Sequence, residues 1–216
     1  MNNKYNVSTI IIVIVAVVAI GLLAWGGSKN KTSAPSTVKE QTVDMHGNPL
    51  ATNVSAVPLQ GFVDKPAPDF NLADLSGQQY SLSELRGKNI ILFFNEGLMC
   101  YPACWNQIVA LAKDERFKNT DTVVLSVVVD PPGEWQKAIG KMPELAEATV
   151  VFDKNTEVSR KFSMLKTASS MHYGSLPGHT FVLIDKDGVI RHIFDDPNMS
   201  IHNDQLVAEL TKLNQN

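Results

Sequence analysis

Residues 89–105 read NIILFFNEGLMCYPACW, and the order of residue types along them decides the fold. Asn89–Phe94 is a short unbroken apolar run, the pattern of a strand buried on both faces. A polar and glycine-containing step follows, then Pro102, which lacks an N–H and already holds a helical φ, so it suits the first residue of a helix. A strand, a short loop and a helix start form the unit from which α/β sheets are built, and functional groups collect just beyond the carboxyl end of such a strand. The only two cysteines of the chain, Cys100 and Cys104, both fall there. Cys100 is placed just before the helix and Cys104 in its first turn, where unpaired backbone N–H groups and the positive end of the helix dipole favour a thiolate and lower its pKa from about 8.5. If the chain bends at Tyr101, the pair reaches disulfide range. Confined to one helix start, the cysteines point to redox or soft-metal chemistry rather than to packing. A stapling disulfide is the plainer alternative, although so small a loop adds little by chain entropy.

Outward from this unit the punctuation is regular. Upstream, FNLADLSGQQYSLSEL predicts a hairpin turning at Ser76-Gly77, then a helical turn capped near Ser81 or Ser83 and ended by Gly87. Downstream, apolar and β-branched runs at 122–129, 149–152, 180–184 and 189–194 read as strands, the last two joined by the turn Asp185-Lys186-Asp187-Gly188. Helical patterns lie at 102–117, 134–139, 156–164 and 203–213. Strand and helix alternate until the closing hairpin. The fold class is therefore α/β, with a central mixed β-sheet flanked by helices.

The other decisive stretch is IIIVIVAVVAIGLLAW, Ile10 to Trp25. Between Tyr5 and Gly27 nothing ionises except the Tyr5 phenol, and about 20 apolar residues in a helix span a bilayer core. The sequence predicts one N-terminal transmembrane helix over residues 7–27, after a short cytoplasmic N-terminus at 1–6 that carries Lys4. A cleaved signal peptide is the alternative, but no A-x-A pattern closes the run. Lys29 and Lys31 beyond it nearly balance the positive-inside count; the close cysteine pair tips the orientation toward an extracytoplasmic domain. Residues 28–61, rich in Ser, Thr, Asn, Pro and Lys, read as a flexible linker. The adjacent Met45 and His46 within it are more simply solvent-exposed than metal-binding. Residues 62–216 form the remaining domain.

Composition narrows the function. With a net charge of −3 and no Lys/Arg run interleaved with aromatics, nucleic acid is excluded as a partner. The expected partners are the membrane, through the N-terminal helix, and a thiol or disulfide protein or a small oxidised molecule.

KPAPDFNLADLSGQQYSLSELRGKNIILFF, the cysteine pair shortly after it and HTFVLIDKDGVIRHIF near the end together resemble the thioredoxin-like redoxin group. That group includes the alkyl hydroperoxide reductase/thiol-specific antioxidant proteins, the membrane-anchored thiol-disulfide oxidoreductases and the Sco-type copper proteins. The resemblance implies a thioredoxin-like fold and a thiol-dependent oxidoreductase needing no cofactor. In it Cys100 attacks and Cys104 resolves, with the two roles exchanged as the alternative; Pro102 sets the helix start, and Trp105 with the loop from Leu176 to His179 flanks the sulfurs. Each branch fits in part. A peroxidase of this group carries Thr or Ser three residues before its cysteine, where this chain has Gly97 or Tyr101, and an Arg before the late strand, where it has Gly178 and His179; Arg191 is a distant substitute. The anchored oxidoreductases place Trp before the first cysteine, where Met99 stands, and a cis-proline near the position of Pro177. The Sco-type branch implies a copper site of Cys100, Cys104 and His179, with His172 as an alternative ligand and Asp130-Pro131 as a further likeness. A non-catalytic tethered binding module is the remaining alternative.

Overall fold

The computed structural model describes residues 58–118 and 121–214. The chain divides into two units, Met1–Glu40 and Gln41–Asn216; the first lies wholly outside the described residues, and every described strand and helix belongs to the second. The apolar run at 7–27 and the Met45-His46 pair are likewise outside the described residues. Among those residues no helix is long and apolar enough to cross a membrane.

Asn89–Phe94 (β3) is buried at every position. It pairs in parallel with Thr122–Val128 (β4) and antiparallel with Thr180–Ile184 (β6). Outside β4 lies Val150–Phe152 (β5), parallel to it, and outside β6 lies Ile190–Asp195 (β7), antiparallel. The predicted N-terminal hairpin, Asn71–Asp74 (β1) and Gln79–Ser81 (β2), turns at Ser76-Gly77, where Asp74 Oδ1 accepts the amides of Ser76 and Gln78. It extends the same sheet by pairing β1 with β5, giving the order β2-β1-β5-β4-β3-β6-β7.

Alternate side chains of β3 enter two different cores. Ile90, Leu92 and Phe94 join Leu125, Val127, Phe162 and Val182 on one face. Ile91 and Phe93 join Cys100, Cys104, Trp105, Trp135 and Phe181 on the other. The 3-10 turn Leu59–Phe62 packs Leu59 and Phe62 on the first core.

Two helices differ from the sequence pattern for local reasons. The helix expected over 156–164 is the short Glu157–Lys161, followed by a 3-10 turn at Met164–Lys166, because Ser163 between them takes a left-handed backbone, φ 63°. The long helix expected from 102 to 117 is divided into Ala103–Lys113 (α1) and Glu115–Lys118 (α2). Asp114 between them is extended, and its carboxylate accepts the Arg116 amide at 3.1 Å and Asn203 Nδ2 at 2.9 Å. Pro132–Lys141 (α3), Glu157–Lys161 (α4) and Asn203–Leu213 (α5) complete the helices, so Asp114 ties the end of α1 to the start of α5.

That tie carries a pH signature. The Arg116 guanidinium, opposed by burial and helped by the Asn203 amide, holds the Asp114 carboxyl at about 2. A carboxyl lowered on folding stabilises the fold above its unfolded pKa of about 4, and the contribution is lost as pH falls through the folded value. The linkage limit is about 2.4 kcal/mol. Because the Arg116 side chain is 49% exposed, solvent screening reduces this to about 1 kcal/mol. Asp114→Asn is expected to cost that much in urea unfolding at pH 7, with the gap to the unaltered protein closing between pH ~4 and ~2; a gap independent of pH would contradict the assignment.

Candidate functional site

The chain leaving β3 forms a 3-10 turn, Gly97–Cys100, then an extended Tyr101, then Pro102 capping α1. Pro102 therefore stands one position before the first helical residue, and Cys104 lies in the first turn of α1 as the sequence predicts. The bend at Tyr101 brings the two Cα atoms to 5.4 Å, and Cys100 and Cys104 are joined in a disulfide. Both are buried, at 2% and 1% exposure, while the neighbouring Met99 and Tyr101 are exposed at 57% and 64%.

The turn that carries Cys100 is held from below. Gly97 has φ +57°, and a Cβ placed on it would lie 1.7 Å from Asp130 Oδ2, so only glycine allows the approach. Asp130 Oδ2 accepts the Leu98 amide at 3.2 Å, and burial raises the pKa of this carboxyl. Trp105 Nε1 donates to the Gly97 carbonyl at 3.0 Å, and the Trp105 ring packs edge-on against Tyr101. Trp105 thus ties the first turn of α1 to the loop that carries Cys100.

His179 is fully buried immediately before β6, edge-on to Phe93 at 4.7 Å and to Phe181 at 5.4 Å. Its Nε2 lies 3.3 Å from the Ser200 carbonyl, which can only accept, so the ring proton sits on Nε2. The Nδ1 lone pair then faces Cys104 Sγ at 3.5 Å. Burial lowers the His179 pKa to about 4, so the ring is neutral at neutral pH. His179 is therefore a hydrogen-bond acceptor, or a lone-pair donor, rather than a resting imidazolium.

The ligand atoms of Cys100, Cys104 and His179 all lie within 4.8 Å of one another. His172 does not join them; its Nδ1 is 3.0 Å from Glu96 Oε2. His202 pairs with Asp196, and His192 lies beside Gln205. Pro177 is buried two residues before His179, but it does not fill the cis-proline place, because the cis bond among the described residues is Tyr101-Pro102. Arg191 pairs with Asp185 and Asp64 at the surface, near the far end of β6 from His179, so it does not stand in for a peroxide-binding arginine.

Glu96, Met199 and Asp196 contribute to the site without having been legible in the sequence. Glu96, buried one residue before Gly97, accepts the amides of Met171 at 2.6 Å and His172 at 2.9 Å, clamping the 167–178 loop to the end of β3. Its one sequence signal is adjacency to the cysteine loop. Met199 places Sδ 3.6 Å from Cys100 Sγ, and Asp196 organises the turn that carries it; the turn-forming DDPN gives no hint of what it delivers. Met99 and Tyr101, either side of Cys100, Met171 on the loop held by Glu96, and Ile201 just after the Met199 turn are exposed large hydrophobics.

Comparison with known proteins agrees with this geometry. The sequence profile of the AhpC/TSA family matches residues 63–193. Peroxiredoxin Bcp of Escherichia coli K12 is 31% identical over 141 residues, covering 64% of this chain and 88% of its own. Peroxiredoxin Q, chloroplastic, of Triticum aestivum is 28% identical over 155 residues, 69% of this chain and 64% of its own. Among solved structures, the reduced 2-Cys peroxiredoxin of Plasmodium vivax superposes with a TM-score of 0.60 at 20% identity, over 71% of this chain and 82% of that one, a likeness of fold. A mixed sheet with its cysteine pair at a helix start after the central strand, together with a family match over most of the described domain, places the chain: it is a thioredoxin-like redoxin and belongs to the AhpC/TSA family.

Proposed function

We propose that this redoxin is a membrane-tethered thiol oxidoreductase that cycles Cys100 and Cys104 between dithiol and disulfide. The observation that carries the reading is the Cys100–Cys104 disulfide at the N-terminus of α1 with the His179 lone pair against Cys104. Cys100, between two exposed side chains, meets the substrate. Its thiolate attacks a disulfide, releasing one thiolate and leaving a mixed disulfide; Cys104 then displaces the second product thiolate and closes the intramolecular bond. With a hydroperoxide, Cys100 takes one oxygen as a sulfenic acid and releases an alcohol, and Cys104 expels that oxygen as water. On the return leg an external thiolate attacks Cys100, and Cys104 leaves as a thiolate stabilised by the start of α1; a second external thiolate then frees Cys100 and departs with the first as their disulfide.

Gly97 and Tyr101 stand where a peroxide-activating hydroxyl would be, and Arg191 is occupied elsewhere. Turnover of a disulfide substrate is therefore expected to exceed that of a hydroperoxide, measured as oxidation of the fully reduced protein by each. Failure of both to oxidise the pair would overturn the proposal.

The apolar run at 7–27 supports a single-pass anchor, and a lone cysteine pair closed as a disulfide fits an oxidising, extracytoplasmic compartment. Recovery of the full chain in the membrane fraction, with the domain open to protease added from outside the cytoplasm, tests both statements.

A second reading has its own observation. Two sulfurs and an unprotonated imidazole nitrogen converge within 4.8 Å, a donor set suited to copper. In that reading the reduced pair and His179 hold the ion, and the protein binds or delivers copper.

A further inference from the structure

The copper reading counts three donors, but a fourth soft atom lies at the site. Met199 Sδ is 3.6 Å from Cys100 Sγ. Its backbone is left-handed, φ 53°, a conformation that residues other than Gly, Asn or Asp rarely adopt. The surroundings enforce it. The Met199 amide donates to the Asp196 carbonyl at 3.1 Å. Asp196 Oδ1 accepts the Asn198 amide at 2.9 Å, and Oδ2 accepts the Ser200 amide at 2.6 Å and lies 2.7 Å from His202 Nε2. The next carbonyl in the chain, that of Ser200, fixes the proton of His179 on Nε2. One five-residue turn, 196–200, thus sets a thioether on Cys100 and an imidazole lone pair on Cys104. Groups that orient ligands from behind in this way are the usual second layer of a metal site.

We propose that Met199 is the fourth donor of a Cu(I) site made by Cys100 Sγ, Cys104 Sγ, His179 Nδ1 and Met199 Sδ, and that its thioether selects Cu(I) over Zn(II). The inference rests on the copper reading and adds to it a specific residue and a metal preference. Thioether sulfur is a soft donor that favours Cu(I), whereas two thiolates and an imidazole alone also suit Zn(II). The disulfide first takes two electrons and two protons from an external dithiol, and Cu(I) then replaces the two thiol protons. The disulfide is accordingly the metal-free form of the cycle.

The test uses the full chain in detergent, reduced with a dithiol that is then removed under anaerobic conditions. Cu(I) is titrated against a chromophoric Cu(I) chelator, and Zn(II) against a zinc indicator. Met199→Leu keeps an apolar side chain of similar volume. It is expected to weaken Cu(I) binding about tenfold or more and to leave Zn(II) binding within twofold, while X-ray absorption at the copper edge falls from three sulfur neighbours to two. Unchanged Cu(I) affinity and an unchanged sulfur count would overturn the role of Met199 and leave the three-donor reading standing. If the unaltered reduced protein takes no Cu(I) from the chelator, the three-donor reading fails as well. Equal weakening of both metals would make Met199 a packing residue and overturn the claimed selectivity.

Discussion

Cys104→Ser is expected to stop multiple turnover, with a loss of at least about 1,000-fold, the scale on which removal of a covalent nucleophile is felt, and to trap Cys100 in its covalent intermediate. With a disulfide substrate, mass spectrometry should find one half of the substrate on Cys100; with a hydroperoxide, a sulfenic acid that reacts with a carbon nucleophile. Cys100→Ser should lose turnover to the same extent and trap nothing. The asymmetry follows from the structure. Cys104 is on the inner side of the pair, against the fully buried His179, whereas Cys100 closes a turn whose neighbours reach solvent. If Cys100→Ser instead leaves an adduct on Cys104, the two roles are exchanged. Loss of the fold is a poor alternative explanation for either result. By chain entropy a loop this small contributes about 2 kcal/mol, against a typical stability of about 5–15 kcal/mol for a domain.

The largest effect on stability is expected from Phe181→Ala. Phe181 is fully buried in β6 and stacked between Phe93, at 4.5 Å and 16°, and Phe194, at 4.8 Å and 17°. These three rings join neighbouring strands β3, β6 and β7 across one face of the sheet. Truncation removes apolar burial, leaves a cavity that the rigid sheet cannot close, and breaks both stacks, for a cost of about 4 kcal/mol. Urea unfolding checks this, and Phe181→Leu, which keeps most of the volume, should lose less than half as much. The truncation also removes one wall of His179, so the reduction potential of the cysteine pair should move in Phe181→Ala even under conditions where the protein stays folded. A loss below about 1 kcal/mol would mean that the site collapses onto the gap.

The contrast between what sequence gives up and what it conceals has a physical basis. NIILFF and TVVLSVVV can be read because strands buried on both faces need unbroken apolar runs, a property of each segment by itself. The cysteine pair can be read because its chemistry is set by one loop and one helix start. His179 stands out among five histidines only through its place before a strand, and the structure brings it to the sulfurs. Asp114 breaks a helix that its neighbours would continue, and its reason lies in Asn203, 89 residues away. Met199 meets Cys100 across 99 residues, through a turn whose Pro and Asn report a bend but not its destination. The hairpin at 71–81 is local and legible, whereas its docking beside β5 depends on partners such as Phe152, paired with Ala73. Pro177 misled because its place near the late strand matched, while the cis bond lies in the cysteine loop itself.

The alternation of β3 between two cores has a further consequence for how the molecule can be watched. Both indoles of the described residues, Trp105 and Trp135, lie on the cysteine face, 6.2 Å apart and edge to face, while the opposite face is filled by Phe70, Phe94 and Phe162 among aliphatic side chains. Repacking after the sulfur bridge opens is therefore expected to change the emission of these two indoles, both on one side of the sheet. The domain carries its own optical gauge of oxidation state, with no label attached.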